Sequence, residues 1–288
     1  ECLHKYYGGD SLVVAIAARR LNSKVGFVSC LGNDVFKDFL LSSWGKEGLD
    51  TKHVKVVDDK NGLYMVSRTS AHDKEFMYYR KKIAPAKLSI EDIDEEYIKS
   101  AKILYTSGIT QSLSMSSREA VKKAFEIARE NNVITAYDPN YSSLISKPED
   151  AKEYFDEICP LTDILFMSSK YDTKNIFEIE SLENITKYLT DLGIQTVVIK
   201  SSNDKGYFVT NSGNTTFVPF YTENIVDTTS SGDAFNGAFL HSIANGYTVL
   251  EAAKIASIDA GLQAQGIGAV KSVPHYDEVY NIFRTEDF

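Results

Sequence analysis

The sequence predicts an α/β protein, because short apolar strands alternate with amphipathic helices through most of its 288 residues and a single hairpin-like stretch interrupts that rhythm. Strands are expected at residues 25–29, 103–107, 133–137, 164–167, 196–199 and 206–210, each a short and largely apolar run. Helical patterns lie between them. In residues 117–131, Val121, Phe125 and Ala128 recur at helical spacing. Residues 181–192 stop before Gly193 and residues 232–245 before Gly246, glycine being a common residue just past a helix C-terminus. Such alternation favours a mainly parallel sheet covered by helices on both faces, in one domain spanning 1–288 without internal repeats.

The interruption is residues 62–82, GLYMVSRTSAHDKEFMYYRKK, where apolar and polar residues alternate around a polar centre at 69–74. That pattern predicts a β-hairpin pairing 62–69 with 75–80. A hairpin inserted among βα units is either surface decoration or a lid over a site. Its four aromatic residues and two arginines favour contact with a ligand.

Composition narrows the function. A chain of this length buries roughly 75% of its unfolded surface and has no need of staples. The net charge of −9, with no basic stripe, argues against a nucleic-acid partner. Cys2, Cys30 and Cys159 show neither metal-ligand nor redox spacing and read as reduced thiols of a cytoplasmic protein. No apolar run approaches the ~18 residues that span a bilayer, and residues 1–10 do not read as a signal peptide. His4, His53, His72, His241 and His275 are scattered, so no metal ligand is assigned.

The strongest local signal is residues 227–239, DTTSSGDAFNGAF, which follow an extended segment at 216–226 and open a helix rich in small residues. A Ser/Gly-rich turn entering a helix aims backbone N–H groups at an anion, at the positive end of the macrodipole. An acid within such a turn repels a bound phosphate unless it has a task. Asp233 has one available: accepting the proton of an alcohol that attacks a phosphoryl group. The alternative from the residues alone is a first-turn acid that complements the dipole, with Ala234, Gly237 and Ala238 serving tight packing.

Residues 227–238 resemble the C-terminal signature DTxGAGDxFxxG of the ribokinase-like (PfkB) carbohydrate kinases. The resemblance covers nearly the whole chain. Gly8, Gly9 and Asp10 before a helix are similar to the family's N-terminal glycine pair, and residues 25–34 to its strand ending in G-x-D. Tyr78-Tyr79-Arg80 with residues 84–88, Ser107-Gly108-Ile109 and Asp138-Pro139-Asn140-Tyr141 resemble the 2-keto-3-deoxygluconate kinase branch. Residues 200–206, Gly268-Ala269 and Pro274 fit the nucleotide half of the site.

The resemblance implies a three-layer α/β/α domain with a small β-sheet lid, around residues 1–10 and 62–90, and a sugar between lid and sheet. It implies Asp233 as the base and the amides of Ser230, Ser231, Gly232 and Asp233 as the anion hole. Gly8, Gly9, Asp10, Tyr78, Arg80, Asp138, Asn140 and Asp233 would meet the sugar. Lys200, Asn203, Gly206, Asp227, Thr229 and Gly268 would meet ATP, with Mg2+ bridging the phosphates and a monovalent cation as an option. A Walker A sequence is absent, so phosphate binding is of this other kind.

Five departures accompany the resemblance. Val13 stands where the family has a sugar-binding Asn, and Ser142 where sugar-acid kinases have Arg after Asp-Pro-Asn-Tyr. Ser168-Ser169-Lys170-Tyr171 replaces N-x-x-E, which helps organise Mg2+. Ser230 replaces the first glycine of GAGD, at a cost of ~1–3 kcal/mol if that position needs a positive φ. The family's first strand, which carries a sugar-binding acid, has no counterpart in residues 1–10. The expected function is ATP-dependent phosphorylation of a hydroxyl of a small sugar or sugar acid, 2-keto-3-deoxygluconate among the candidates. The alternatives are a catalytically impaired sugar- or nucleotide-binding sensor and a kinase of another sugar or a nucleoside. A homodimer through the lid is the expected assembly.

Overall fold

The computed structural model describes residues 5–68, 74–222 and 224–285. Cys2, His4, His72 and most of the hairpin's polar centre lie outside the described residues. In chain order the first half comprises α1 (Asp10–Arg20), β1 (Ser29–Gly32), α2 (Lys37–Glu47), β2 (Val54–Val57), β3 (Leu63–Arg68), β4 (Lys74–Tyr79), α3 (Glu95–Lys99), β5 (Ile103–Ser107), α4 (Gly108–Ser112) and α5 (Met115–Glu130). There follow β6 (Ile134–Asp138), α6 (Pro148–Ile158), β7 (Ile164–Ser168), α7 (Lys174–Phe177), α8 (Leu182–Asp191), β8 (Thr196–Ser201), β9 (Gly206–Asn211), β10 (Asn214–Pro219), α9 (Ser231–Ala244), α10 (Val249–Ala264) and α11 (Tyr276–Thr285).

A period of two along the strands sorts the core into layers, because successive strand side chains point to opposite faces. Ile164, Phe166 and Val198 pack with Phe235 and Phe239 of α9 and Ala252 and Ile255 of α10. Leu165, Met167, Val197 and Ile199 pack on the other face with Phe125 of α5, Phe155 of α6 and Leu189 of α8. The central strands are therefore apolar without interruption, as strands buried on both faces must be. The result is a three-layer α/β/α arrangement.

The six-stranded sheet runs β10-β9-β8-β7-β6-β5. Strands β5 to β8 are parallel, whereas β9 is antiparallel to both neighbours, so the sheet is mixed. The four residues between β8 and β9 are too few for the crossover that a parallel neighbour requires. The parallel strands end together at Ser107, Asp138, Ser168 and Ser201, which places their carboxyl ends along one edge.

Two strand pairs stand apart from this sheet. β1 and β2 form a parallel ribbon, and β3 and β4 an antiparallel hairpin in which Tyr64 faces Tyr78 and Val66 faces Phe76. The hairpin expected at 62–69 and 75–80 is thus found at Leu63–Arg68 and Lys74–Tyr79. The strand expected at 25–29 is displaced: the ladder with β2 begins only at Ser29, opposite Val54, while Gly26 makes a single bridge to Asp50. The extended segment expected at 216–226 ends early, since β10 stops at Pro219, where the pairing with β9 also ends at Gly206. Cys30 and Cys159 are free and buried. Among the described residues no helix is long and apolar enough to cross a membrane.

Candidate active site

The loop from Asp227 to the first turn of α9 is held from beneath. Asp227 accepts hydrogen bonds from the amide (3.0 Å) and hydroxyl (2.7 Å) of Thr229 and from the amide of Gly268 (3.2 Å). The Gln263 side-chain amide donates to the carbonyls of Thr229 (2.9 Å) and Gly268 (3.3 Å). Asp227 and Gln263 therefore lock this loop to the Gly268 loop, where φ is +98°. Ser230 caps α9 at φ +64°, a left-handed conformation that glycine adopts without strain. The Ser231 amide turns inward to the Thr228 carbonyl at 3.2 Å. Among the described residues the amides of Gly232 and Asp233 have no backbone acceptor, as befits the first N–H groups of a helix.

Asp233 lies in the first turn of α9 and lines the large cavity between hairpin and sheet. Burial pushes its carboxyl up to about 8, the negative charges of Asp10 and Asp138 add to this, and Lys200 and a hydrogen bond from Ser230 oppose it. The Asn140 side-chain amide donates to one of the carboxyl oxygens across a long 3.4 Å. Asn140 itself holds φ +45° in the turn after β6, where its backbone N–H donates to Asp138 at 2.9 Å.

Beneath Asp233 lies a buried polar cluster. Asp138, 1% exposed, also accepts from Lys200 Nζ at 2.6 Å and from the Asn236 amide at 2.7 Å. Asp172, equally buried, accepts the amides of Ser168 (2.5 Å) and Tyr141 (2.8 Å), and so ties the turn after β7 to the loop after β6. Burial, with the charge of Asp138, pushes the Asp172 carboxyl up to about 7 against those two amides.

The hairpin closes the cavity from above. Tyr64, Val66, Phe76, Tyr78 and Arg80 line it, while Met77 and Tyr79 turn outward. The Arg80 guanidinium lies 5.9 Å from the Tyr78 ring centre. Both Tyr64 and Tyr78 feel the charge of Asp233 and have hydroxyls pushed upward, chiefly by burial. The chain at Gly8 passes so close below that a Cβ there would stand 2.9 Å from the Tyr64 hydroxyl. Asp10, at the start of α1, accepts a hydrogen bond from Ser107 at the end of β5.

A buried carboxyl at the start of α9 is thus roofed by an aromatic hairpin. The model of the pfkB family of carbohydrate kinases matches residues 1–275. The chain belongs to that family. It is a carbohydrate kinase, a phosphotransferase with an alcohol group as acceptor. A 5-dehydro-2-deoxygluconokinase of Clostridium beijerinckii is 27% identical over 98% of this chain and 85% of its own length. An ATP-dependent 6-phosphofructokinase of Thermoanaerobacterium thermosaccharolyticum is 28% identical over 97% and 85%. In architecture the kinase is ribokinase-like: the crystal structure of a 2-dehydro-3-deoxygluconokinase from Thermotoga maritima superposes with a TM-score of 0.88, at 23% identity, over 97% of this chain and 90% of that one. An E. coli ribokinase II structure in complex with ATP and Mg2+ superposes at 0.87, with 23% identity, over 99% and 92%.

Most residues singled out from the kinase's sequence converge on this cavity. Gly8, Gly9, Asp10, Tyr78, Arg80, Asn140, Asp227, Thr229, Ser230, Asp233 and Gly268 all line it. Six others, Gly232 among them, are not in its lining. Asp138 is sealed beneath the cavity and reaches it only through its neighbours. Lys200 directs its ammonium at Asp138 rather than outward. Gly206 is a packing glycine, since a Cβ there would stand 2.5 Å from the Phe217 ring and from the Val218 carbonyl. Asn203 lies exposed in the β8–β9 turn, away from the cavity lining. The Ser231 amide is taken up by the Thr228 carbonyl. Tyr64, Asp172 and Asn236 were not singled out, and Ser107 only as part of a family motif. For Tyr64 a signal existed, because hairpin pairing puts it opposite Tyr78.

Proposed function

We propose that this kinase phosphorylates a keto-deoxy sugar acid from ATP, with Asp233 taking the proton of the attacking hydroxyl. The observation that carries this reading is the placement of Asp233: a carboxyl raised by burial, in the same helical turn as the free amides of Gly232 and Asp233. Those amides would meet charge developing on the transferred phosphoryl group, where a well-placed donor contributes ~3–4 kcal/mol. Asn140 holds one Asp233 oxygen across 3.4 Å, and Ser230 also hydrogen-bonds the carboxyl.

The acid class rests on Arg80. Its planar fork lines the cavity beside Tyr78 and suits bidentate contact with a carboxylate. The name of the Clostridium beijerinckii relative points the same way. The Gly268 loop and the N-terminus of α9 would hold the nucleotide phosphates. Among the described residues no three His, Cys, Asp or Glu side chains are grouped to hold a metal ion. Mg2+ therefore fits this site as an ion carried largely by nucleotide phosphates and water, supplying neutralisation of phosphate charge when bound.

The same reading takes 1–288 as one cytoplasmic kinase domain, with the hairpin as its lid. Among the described residues β5 and β1 each pair on one side only, and residues of both line the cavity. Met65, Met77 and Tyr79 leave the outer lid face apolar and exposed, which supports pairing of two lids in a homodimer.

The test is a coupled ADP-release assay over 5-dehydro-2-deoxygluconate, 2-dehydro-3-deoxygluconate, fructose 6-phosphate and neutral sugars. Turnover with a keto-deoxy acid and little with neutral sugars is expected. Turnover confined to fructose 6-phosphate would reassign Arg80 to a phosphate. No turnover with any acceptor would overturn the reading.

A further inference from the structure

Asp138 sits where the cleft's own logic gives it no direct work. It is sealed from the cavity, yet it gathers groups from three elements that converge on Asp233. From its own turn comes the Asn140 amide at 2.9 Å, from β8 the Lys200 ammonium at 2.6 Å, and from α9 the Asn236 side chain at 2.7 Å. Two of these lead back to Asp233. Asn140, kept at φ +45° by its bond to Asp138, donates to an Asp233 oxygen. Lys200 lies under the first turn of α9, its ammonium 3.5 Å from where a Cβ on Gly232 would stand.

We infer that the buried Asp138–Lys200 pair is the positioning element for Asp233, orienting it through Asn140 and setting its proton affinity by the balance of two opposed charges beneath the first turn of α9. This rests on Asp233 being the base, as proposed above. Neither member is a catalytic residue: Asp138 is sealed, and the Lys200 ammonium is engaged with Asp138 and, at 3.4 Å, with Asn236. A lysine whose task was only to bind nucleotide phosphates would gain nothing from a buried carboxylate that neutralises it. A lysine whose task is to moderate a crowd of acids does.

That crowd is defined by the elements around Asp233. Asp10 comes from α1, Asp138 from β6, Lys200 from β8 and Ser230 from its own turn. Tyr64, Tyr78 and Arg80 come from the hairpin and Tyr105 from β5. Two of these groups, Asp10 and Asp138, are carboxylic acids that act on Asp233, and Lys200 is the cation among those that act directly on its carboxyl. Removing the lysine charge leaves Asp10 and Asp138 unopposed. Removing the Asp138 charge leaves the ammonium unopposed. The two changes must displace the Asp233 proton in opposite directions, each by about one pH unit for charges a few ångströms away in a partly wet interior.

The test follows the Asp233 carboxyl directly by 13C NMR titration of the ligand-free protein, the signal being assigned by its loss in Asp233→Asn. Lys200→Met is expected to move its midpoint up by about one pH unit and Asp138→Asn to move it down by about one. Lys200→Arg, which keeps the charge, should restore it to within a few tenths. The double variant should return toward wild type. The acid limb of kcat/KM should follow the same order. Asp138→Asn and Lys200→Arg are close in shape to the native pair and keep the test open if Lys200→Met does not fold. Equal midpoints in all folded variants, or shifts of the same sign, would overturn the inference. Opposed shifts in a protein inactive toward every acceptor would leave it standing and sink the kinase role of Asp233 alone.

Discussion

Replacing Asp233 with Asn separates two roles of one carboxyl. The substitution keeps shape and hydrogen-bonding capacity but cannot take a proton, so turnover should fall ~10²–10⁴-fold. Stability should move the other way. The carboxyl rises from 3.8 to about 8 on folding, so between those values the folded state holds a proton that the unfolded chain releases. A group raised in this sense contributes its full stability below 3.8 and loses it as pH rises through 8. At ~1.4 kcal/mol per unit, the wild type forfeits at most roughly 4 kcal/mol at pH 7. Water reaching a half-buried group reduces that to ~2 kcal/mol. Asparagine escapes the loss. At ~2 °C per kcal/mol for a chain of this size, Asp233→Asn should melt about 4 °C higher at pH 7 and no higher near pH 4. The assay is paired: thermal melts from pH 4 to 8, and turnover beside nucleotide affinity. Affinity should hold at pH 7, since the raised carboxyl already carries a proton there and Asn replaces one neutral group with another. Equal melting at every pH would refute the strained carboxyl, and unchanged turnover would refute the base.

Three further substitutions test other parts of the structure. Arg80→Lys should raise KM for acid substrates about tenfold, with kcat less affected, because a point charge does not reproduce the guanidinium fork; an unchanged KM for every acid removes Arg80 from substrate contact. Gly206→Ala should cost ~1–3 kcal/mol of stability in denaturant unfolding, since its Cβ would stand 2.5 Å from Phe217 and Val218, while nucleotide affinity stays unchanged; weaker ATP binding at unaltered stability would restore Gly206 to the site. Asp259 is fully buried, neither of its oxygens has a hydrogen-bond partner among the described residues, and burial holds its carboxyl well above the usual range despite Arg20. Asp259→Asn should therefore stabilise the protein increasingly from pH 4 toward neutrality, and a constant difference across that range would show that the carboxyl is not held protonated.

Much of the site was legible in local chemistry. Residues 227–239 carry their own explanation, because a small-residue turn, an acid and a helix start are consecutive and need no distant partner. The hairpin was legible for the same reason: its alternation is local, and its register then dictates that Tyr78 and Arg80 share a face while Tyr79 takes the other. Lys200 was legible as an important residue but not for its partner. Asp138 lies 62 positions away, and nothing short of the β6–β7–β8 ladder brings the two strand ends together. Gly206 was misleading because a glycine near a phosphate and a glycine under an aromatic ring look alike in one dimension.

By itself the sequence determined whatever repeats over a few residues: the two-faced apolar strands, the amphipathic helices, the hairpin and the small-residue turn with Asp233 at the start of a helix. These follow from backbone periodicity and from the fixed donors of a helix terminus, properties that act within a turn or a strand. Tertiary structure alone decided that β1 and β2 stand apart from the main sheet and that Asp138 is sealed beneath the cavity beside Lys200. Each of these depends on which strand edges meet and which charges are withdrawn from water together, and both are set by contacts between residues far apart in the chain.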